Sequence, residues 1–232
     1  MGFCPICEQG SVFTSLSNWY RDDLICNRCL SIPRERAVAK VLKSLRPNWR
    51  ELKIHEAGGV DRGFHSQLRR ECHDFIRSHF YPGSQENSID GIYNIDLERQ
   101  LAFSDREFDV ILALDILEHV FEPKLVLNEM RRTLKADGVA ILTFPIQKQL
   151  VHATTQRAER DEQGNIVYLE SPEFHGNPID DRGSLVTYDY GYEIHQLIHE
   201  WTDFEVQVIR FCDYNSGIVG EFTEIILLKP NT

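Results

Sequence analysis

The stretch HEAGGVDRG, residues 55–63, decides how this chain is read. It follows the short apolar run LKIHEA and precedes GFHSQLRREC, which reads as a helix. A glycine-rich turn between a buried strand and a helix lets the backbone approach a ligand closely. The first turn of the helix then offers N–H groups to an anion. Yet Gly58, Gly59 and Gly63 do not follow the G-x-G-x-x-G spacing of a dinucleotide loop. The loop either holds a cofactor along an unusual path or is only a turn. The residues around it must decide.

Downstream, strands and helices alternate. DFIRSHF reads as a strand and GIYNIDL as a short one. FDVILALD is a strong buried strand, PKLVLNEMRRTL an amphipathic helix stopped by KADG, and VAILTFP a second buried strand. Near the end, YEIHQLIHEWTD reads as a helix, and FEVQVIRFC and FTEIILLKP as two further strands. Continuous apolar strands alternating with helices predict an α/β fold whose parallel sheet is covered on both faces. Such sheets take ligands at the carboxyl ends of their strands.

Residues 96–145, DLERQLAFSDREFDVILALDILEHVFEPKLVLNEMRRTLKADGVAILTFP, closely resemble the core of class I S-adenosylmethionine-dependent methyltransferases. The features run in order: Asp96 after the third strand, LAFSDREFDVI leading into the fourth, LEHV after it, and LKADG before the fifth. The resemblance covers about residues 50–145 and, more weakly, the last two strands. It implies a Rossmann-like, doubly wound, mostly parallel seven-stranded sheet with an antiparallel C-terminal hairpin, and S-adenosylmethionine as cofactor. By the same resemblance Glu56, Gly58 and Gly59 form the first cofactor loop, with Glu56 receiving the cofactor's cationic groups. Asp96 would accept a hydrogen bond from the adenine amino group beside the Leu97 amide, and Leu114 and Asp115 would line the methionine arm. The family often places an acid after the second strand to grip the ribose. This chain has Ser78-His79-Phe80-Tyr81 there, so Ser78 or His79 would substitute. Val60 and Arg62 stand where the family's loop carries glycines, and Gly63 comes one place late. Two readings compete: a working loop with a different path, or a structural remnant.

Two C-x2-C knuckles, Cys4-Pro5-Ile6-Cys7 and Cys26-Asn27-Arg28-Cys29, lie eighteen residues apart. Each lets two thiolates grip one metal ion from a tight turn, and two complete a closed tetrahedral site. The pattern resembles a zinc ribbon. Four thiolates leave no open position, so the Zn2+ would be structural; iron in a rubredoxin-like site is the alternative. Cys72 and Cys212 stand alone and are expected to be buried as small hydrophobes. In SIPRERAVAKVLKSL, Ser31 can cap and Pro33 suits a first turn, while Ala37, Val38, Val41, Leu42 and Leu45 make an apolar stripe. A helix from Pro33 to Leu45 follows. Arg34 and Arg36 lie either in a solvated first turn or against the ligand cleft. The expected organisation is a zinc ribbon over 1–32, a linking helix over 33–52 and a methyltransferase domain over 53–232.

An oxygen acceptor of a methyl group benefits from a base. His119, in LEHV, titrates near neutral pH and is the first candidate; a structural histidine at a helix start is the alternative. Glu118 reads as a cap or orienting partner. Residues 146–192 are long for a link between the fifth strand and the next helix, which points to a functional insertion. They are expected to form a lid carrying the acceptor site, with His152, His175, Asn177, Tyr188, Asp189 and Tyr190 as contacts. His175, paired with Asp189, is a second catalytic candidate. A decorative loop and a dimer contact are the alternatives. The net charge of −11 argues against duplex nucleic acid, whose binders present a basic face. The resemblance to other zinc-knuckle methyltransferases implies a small-molecule acceptor, such as a sugar or secondary metabolite methylated on oxygen. An rRNA or tRNA base methyltransferase using the ribbon for recognition, and a non-catalytic zinc scaffold, are the alternatives. No apolar run approaches the ~18 residues of a membrane span. The start MGFCPIC lacks a basic-then-apolar leader, so the expected location is the cytoplasm. A monomer or homodimer is expected.

Overall fold

The apolar runs pair edge to edge in one sheet. In the computed structural model, which describes residues 1–149, 153–177 and 181–231, its main strands are β1 (Lys53–Ala57), β2 (Asp74–His79), β3 (Ile92–Asn94), β4 (Phe108–Leu114), β5 (Leu134–Thr143), β6 (Phe204–Ile209) and β7 (Ile225–Pro230). Their spatial order is β6-β7-β5-β4-β1-β2-β3, and a short strand, Ser88–Ile89, pairs outside β3 as an eighth. Strands β1 to β5 run parallel, whereas β7 is antiparallel to both β5 and β6. This is the expected seven-stranded arrangement with its antiparallel hairpin, extended by one edge strand. From β1 the chain first winds toward β3, then returns to β4 and winds the other way. That reversal opens a crevice at the carboxyl ends of β1 and β4.

Four helices cover the sheet: α1 (Pro33–Leu45), α2 (Gly63–Glu71), α3 (Pro123–Thr133) and α4 (Ile194–Thr202). Alternate residues of β4 point to opposite faces, as the strand's twofold period requires. Val110 and Leu112 join Val38, Leu42, Phe64 and Leu68 under α1 and α2. Ile111 and Ala113 join Val126, Met130, Ile194 and Ile198 under α3 and α4. Helix α1 has the expected bounds, but Ser31 does not cap it. Ile32 is the capping residue, and the Glu35 carboxylate accepts the Ile32 N–H at 3.3 Å. KADG is not a plain stop either. Leu134 already pairs with Phe108, and the register slips before Val139 pairs with Val110, so these residues bulge within β5.

The N-terminal module packs on the α1 face. It consists of two antiparallel pairs, Gly2–Cys4 with Gln9–Ser11 and Phe13–Thr14 with Ile25–Cys26. Cys4, Ile6 and Cys26 share one core with Ala37 and Val38 of α1. Arg36 is fully buried here and does not reach the cleft. Its guanidinium donates to the carbonyls of Leu24 at 2.8 Å, Gly217 at 2.7 Å and Ser31, and lies over the Phe13 ring. Cys72 is buried as expected, whereas Cys212 is exposed. Among the described residues no helix is long and apolar enough to cross a membrane.

Candidate active site

The carboxyl ends of β1, β2 and β4 open into a cavity of about 1120 Å³. The described residues between 146 and 192 border it. They fold as three short antiparallel pairs: Thr155–Gln156 with Tyr188–Asp189, Ala158–Arg160 with Ile166–Tyr168, and Phe174–His175 with Ser184–Leu185. This lid contributes Arg160, His175 and Asn177 to the wall, and the cysteine module contributes Trp19, Arg21 and Asp22.

The loop 55–63 is shaped by two demands. Gly58 lines the cavity with φ +73°, and a Cβ there would strike the Ile116 side chain. Gly63 has φ +48° and meets the cysteine module: its N–H donates to the Cys29 carbonyl at 2.9 Å, and a Cβ would strike Glu35 and Ser31. Beside it Arg62 pairs with Glu35 at 2.8 Å. The late glycine thus serves docking of the loop on the second knuckle. Glu56 is placed otherwise than expected. Its carboxylate is buried and bonded to His65 Nδ1, away from the cavity wall. Gly59 also stands behind the wall, its carbonyl 3.0 Å from His79 Nε2.

Ser78 and His79, at the end of β2, line the cavity. Ser78 Oγ lies 2.8 Å from His55 Nε2. The His55 ring is sealed against Phe103 and Phe108, and burial lowers its pKa to about 4. Burial also lowers that of His79. Asp96 and Leu97 line the next part of the wall. One Asp96 oxygen accepts the Glu98 N–H at 3.0 Å, and the other lies 3.1 Å from Arg99 Nε. Leu114 and Asp115 follow β4. Asp115 is left-handed, φ +53°, and accepts the Thr143 hydroxyl at 2.9 Å. Its other oxygen pairs with Arg21 Nη2 at 2.6 Å and Arg34 Nε at 2.9 Å. Burial pushes its carboxyl up, but the guanidiniums of Arg34 and Arg21 outweigh that and hold it below the usual carboxylate range. Arg34 therefore reaches the cleft. Arg21 does so from the cysteine module, which sequence reasoning missed because nothing local marks a contact spanning ninety-four positions. Glu98 was missed as well. It accepts the N–H groups of Phe121 and Glu122, each at 2.7 Å, and pairs with Arg160 at 3.3 Å.

His119 ends the turn Leu117–His119 and lines the cavity. Its Nδ1 lies 2.9 Å from the Leu185 carbonyl, which can only accept, so Nδ1 carries the proton and Nε2 the lone pair. Burial lowers its pKa, which keeps the ring neutral at pH 7. The His175 ring stands perpendicular to it with centroids 5.3 Å apart. His175 is thus paired with His119, not with Asp189, which binds Arg157 instead. Tyr190 is fully buried, donating to the Leu117 carbonyl at 2.9 Å, and Tyr188 stacks on it; none of these three lines the cavity. Asn177 does. His152 lies outside the described residues. Glu118 is buried with neither oxygen hydrogen-bonded among the described residues. Burial, and then the nearby Asp115 charge, push its pKa well above the ordinary value.

The four knuckle cysteines converge. Cys4 and Cys29 sulfurs lie 3.8 Å apart, and those of Cys7 and Cys26 3.9 Å apart. Tetrahedral bonds of about 2.3 Å to one ion put sulfurs about 3.8 Å apart. A disulfide would bring them to about 2.05 Å. Each knuckle is followed by a left-handed residue, Glu8 at φ +55° and Leu30 at φ +60°, a conformation that persists where the surroundings enforce it. The donor set fits a closed tetrahedral metal centre.

Residues 74–142 match the family described as Methyltransferase domain. No curated protein matches the chain. A solved S-adenosylmethionine-dependent methyltransferase from Mesorhizobium loti aligns over 83% of this chain and 96% of its own, at 13% identity and a TM-score of 0.51. Streptomyces venezuelae DesVI aligns over 85% and 92%, at 10% identity and 0.51. The CurJ carbon methyltransferase aligns over 85% of this chain and 53% of its own, at 15% identity and 0.50. At such identities the likeness speaks for the fold. The family match over residues 74–142 and the cleft at the switch point mark an S-adenosylmethionine-dependent methyltransferase domain, these structures share its fold, and a four-cysteine module stands at its N-terminal side.

Proposed function

We propose that this methyltransferase acts on a small molecule, most simply at an oxygen, inside the cavity at the carboxyl ends of the strands. The observation that carries this reading is the chamber itself. Its volume of about 1120 Å³ exceeds the roughly 300–1,000 Å³ of single-ligand pockets, which leaves room for a cofactor and a compact acceptor together. Lid and cysteine module both contribute to its wall, and a recess of this depth suits a free metabolite better than a base within a long polymer.

In this reading S-adenosylmethionine supplies an electrophilic methyl group on a sulfonium. Asp96 and the Leu97 amide hold the adenine, Ser78 and His79 face the ribose, and Gly58, Leu114 and Asp115 border the methionine arm. Glu56 acts from behind by fixing His65 and the loop. His119 and His175 stand on the acceptor side and handle the acceptor's proton. The four cysteines hold a structural Zn2+, and residues 1–32, 33–52 and 53–232 work as one unit, because Arg21 and the Cys29 carbonyl both reach the cofactor loops.

The test is incubation with radiolabelled S-adenosylmethionine, offering in parallel a low-molecular-mass metabolite fraction and total RNA. Label transferred to the small molecules, and lost in His119→Ala, is expected. Label in RNA alone would overturn the small-molecule reading.

A further inference from the structure

Glu118, His119 and His175 form a cluster that the cofactor does not account for. One potential donor atom from each lies within 4.8 Å of the others. His119 Nε2 is 3.9 Å from a Glu118 oxygen. His119 is oriented as metal-bound histidines are: Nδ1–H is fixed by a backbone carbonyl, here Leu185 at 2.9 Å, which leaves Nε2 free. Glu118 is 2% exposed, and neither carboxylate oxygen finds a hydrogen-bond partner among the described residues. A buried carboxylate left so requires an explanation, because each unsatisfied oxygen is costly. His119 and His175 both open onto the chamber.

We infer that Glu118, His119 and His175 bind one divalent first-row cation on the acceptor side of the chamber, distinct from the metal of the four cysteines. Two imidazoles and one carboxylate are the donor set that such ions take while keeping open positions. Ligands at bond lengths of about 2.1 Å stand about 3 Å apart in an octahedral shell, so the side chains close in by roughly 1–2 Å on binding. His119 and His175 line the chamber, so an ion held by them would border it. An acceptor hydroxyl coordinated there becomes more acidic and gives its proton to solvent. Its oxygen then forms the C–O bond as the S–CH3 bond breaks, the electron pair staying on sulfur to give the thioether. The two histidines then handle the proton through the ion rather than by taking it up. The inference rests on the methyltransferase reading only for what the ion does, not for whether it binds.

The experiment is titration of protein prepared with one Zn2+ per chain, held by the four thiolates, with Mn2+, followed by electron paramagnetic resonance of the free ion. The soft thiolate site disfavours Mn2+, so the ribbon does not compete. One Mn2+ bound per chain is expected, weakened at least tenfold in Glu118→Gln and in His175→Ala. S-adenosylhomocysteine affinity, measured on the same samples, should stay unchanged and so report an intact fold. A second measurement needs no variant: Co2+ added to the zinc-loaded protein should give weak visible bands without thiolate charge transfer. No bound Mn2+, or equal binding in wild type and variants, or a Co2+ spectrum of thiolate type alone, overturns the inference. Mn2+ binding without any S-adenosylhomocysteine binding would instead leave the metal site standing and sink the cofactor reading.

Discussion

His55 is neutral because its ring is sealed in the core, with Nε2 against Ser78 Oγ and its faces against Phe103 and Phe108. Its pKa falls from 6.5 to about 4, so the unfolded chain binds the proton first as pH drops. Stability from this group is complete above about pH 6.5 and is lost progressively toward about pH 4. The shift corresponds to roughly 3 kcal/mol, on the order of 10 °C in melting temperature. Thermal melts at pH 7 and pH 5 should show a steeper loss in wild type than in His55→Gln, which does not titrate; equal slopes would refute the assignment. Gly58 sets a second prediction. Alanine there meets a left-handed backbone, which costs about 1–2 kcal/mol, and the Ile116 side chain. Gly58→Ala should therefore weaken S-adenosylhomocysteine binding roughly tenfold, as calorimetry can read. The glycine's presence was legible in the sequence. Glu56 was not, because its buried partner His65 lies nine positions on and the same carboxylate would have suited the cofactor.

The cysteine module and the cofactor cleft are joined by Arg21, which sits between Asp22 and Asp115. Removing Arg21 takes one of two guanidiniums from Asp115, at a cost below the ~3 kcal/mol of a fully orphaned buried charge. Arg34 still faces Asp115, so Arg21→Ala should fold, melt at a lower temperature and bind S-adenosylhomocysteine more weakly. An Arg21→Ala protein with wild-type affinity and melting would show that the contact is incidental. Chelating the Zn2+ proposed for the four cysteines should have the same two effects, since the Gly63 N–H is held by the Cys29 carbonyl. The two knuckles and α1 were readable because ligand spacing and helical periodicity are local signals. The lid was readable only as an insertion. Tyr188, Asp189 and Tyr190 looked like acceptor contacts, yet Tyr190 packs on Phe144 and Asp189 serves Arg157, pairings that tertiary packing decides.

Across the whole molecule, a net charge of −11 coexists with a cleft that carries Arg21, Arg34 and Arg160 among its wall residues. These arginines are paired to Asp115, Asp22 and Glu98, so they build the chamber rather than a phosphate-binding face. Binding of cofactor to such a chamber should depend only weakly on salt, unlike binding to nucleic acid. The alternation of strands and helices gave away the sheet and its switch point. The arrangement of cysteine module and lid around that point came from contacts far apart in sequence. The most direct test of the account is calorimetric titration of the zinc-loaded protein with S-adenosylmethionine and S-adenosylhomocysteine, beside an Asp96→Ala variant. One site with micromolar affinity is expected. The variant should bind roughly 10- to 100-fold more weakly, as expected for loss of a hydrogen bond to a charged group. No binding of either ligand at millimolar concentration would contradict it.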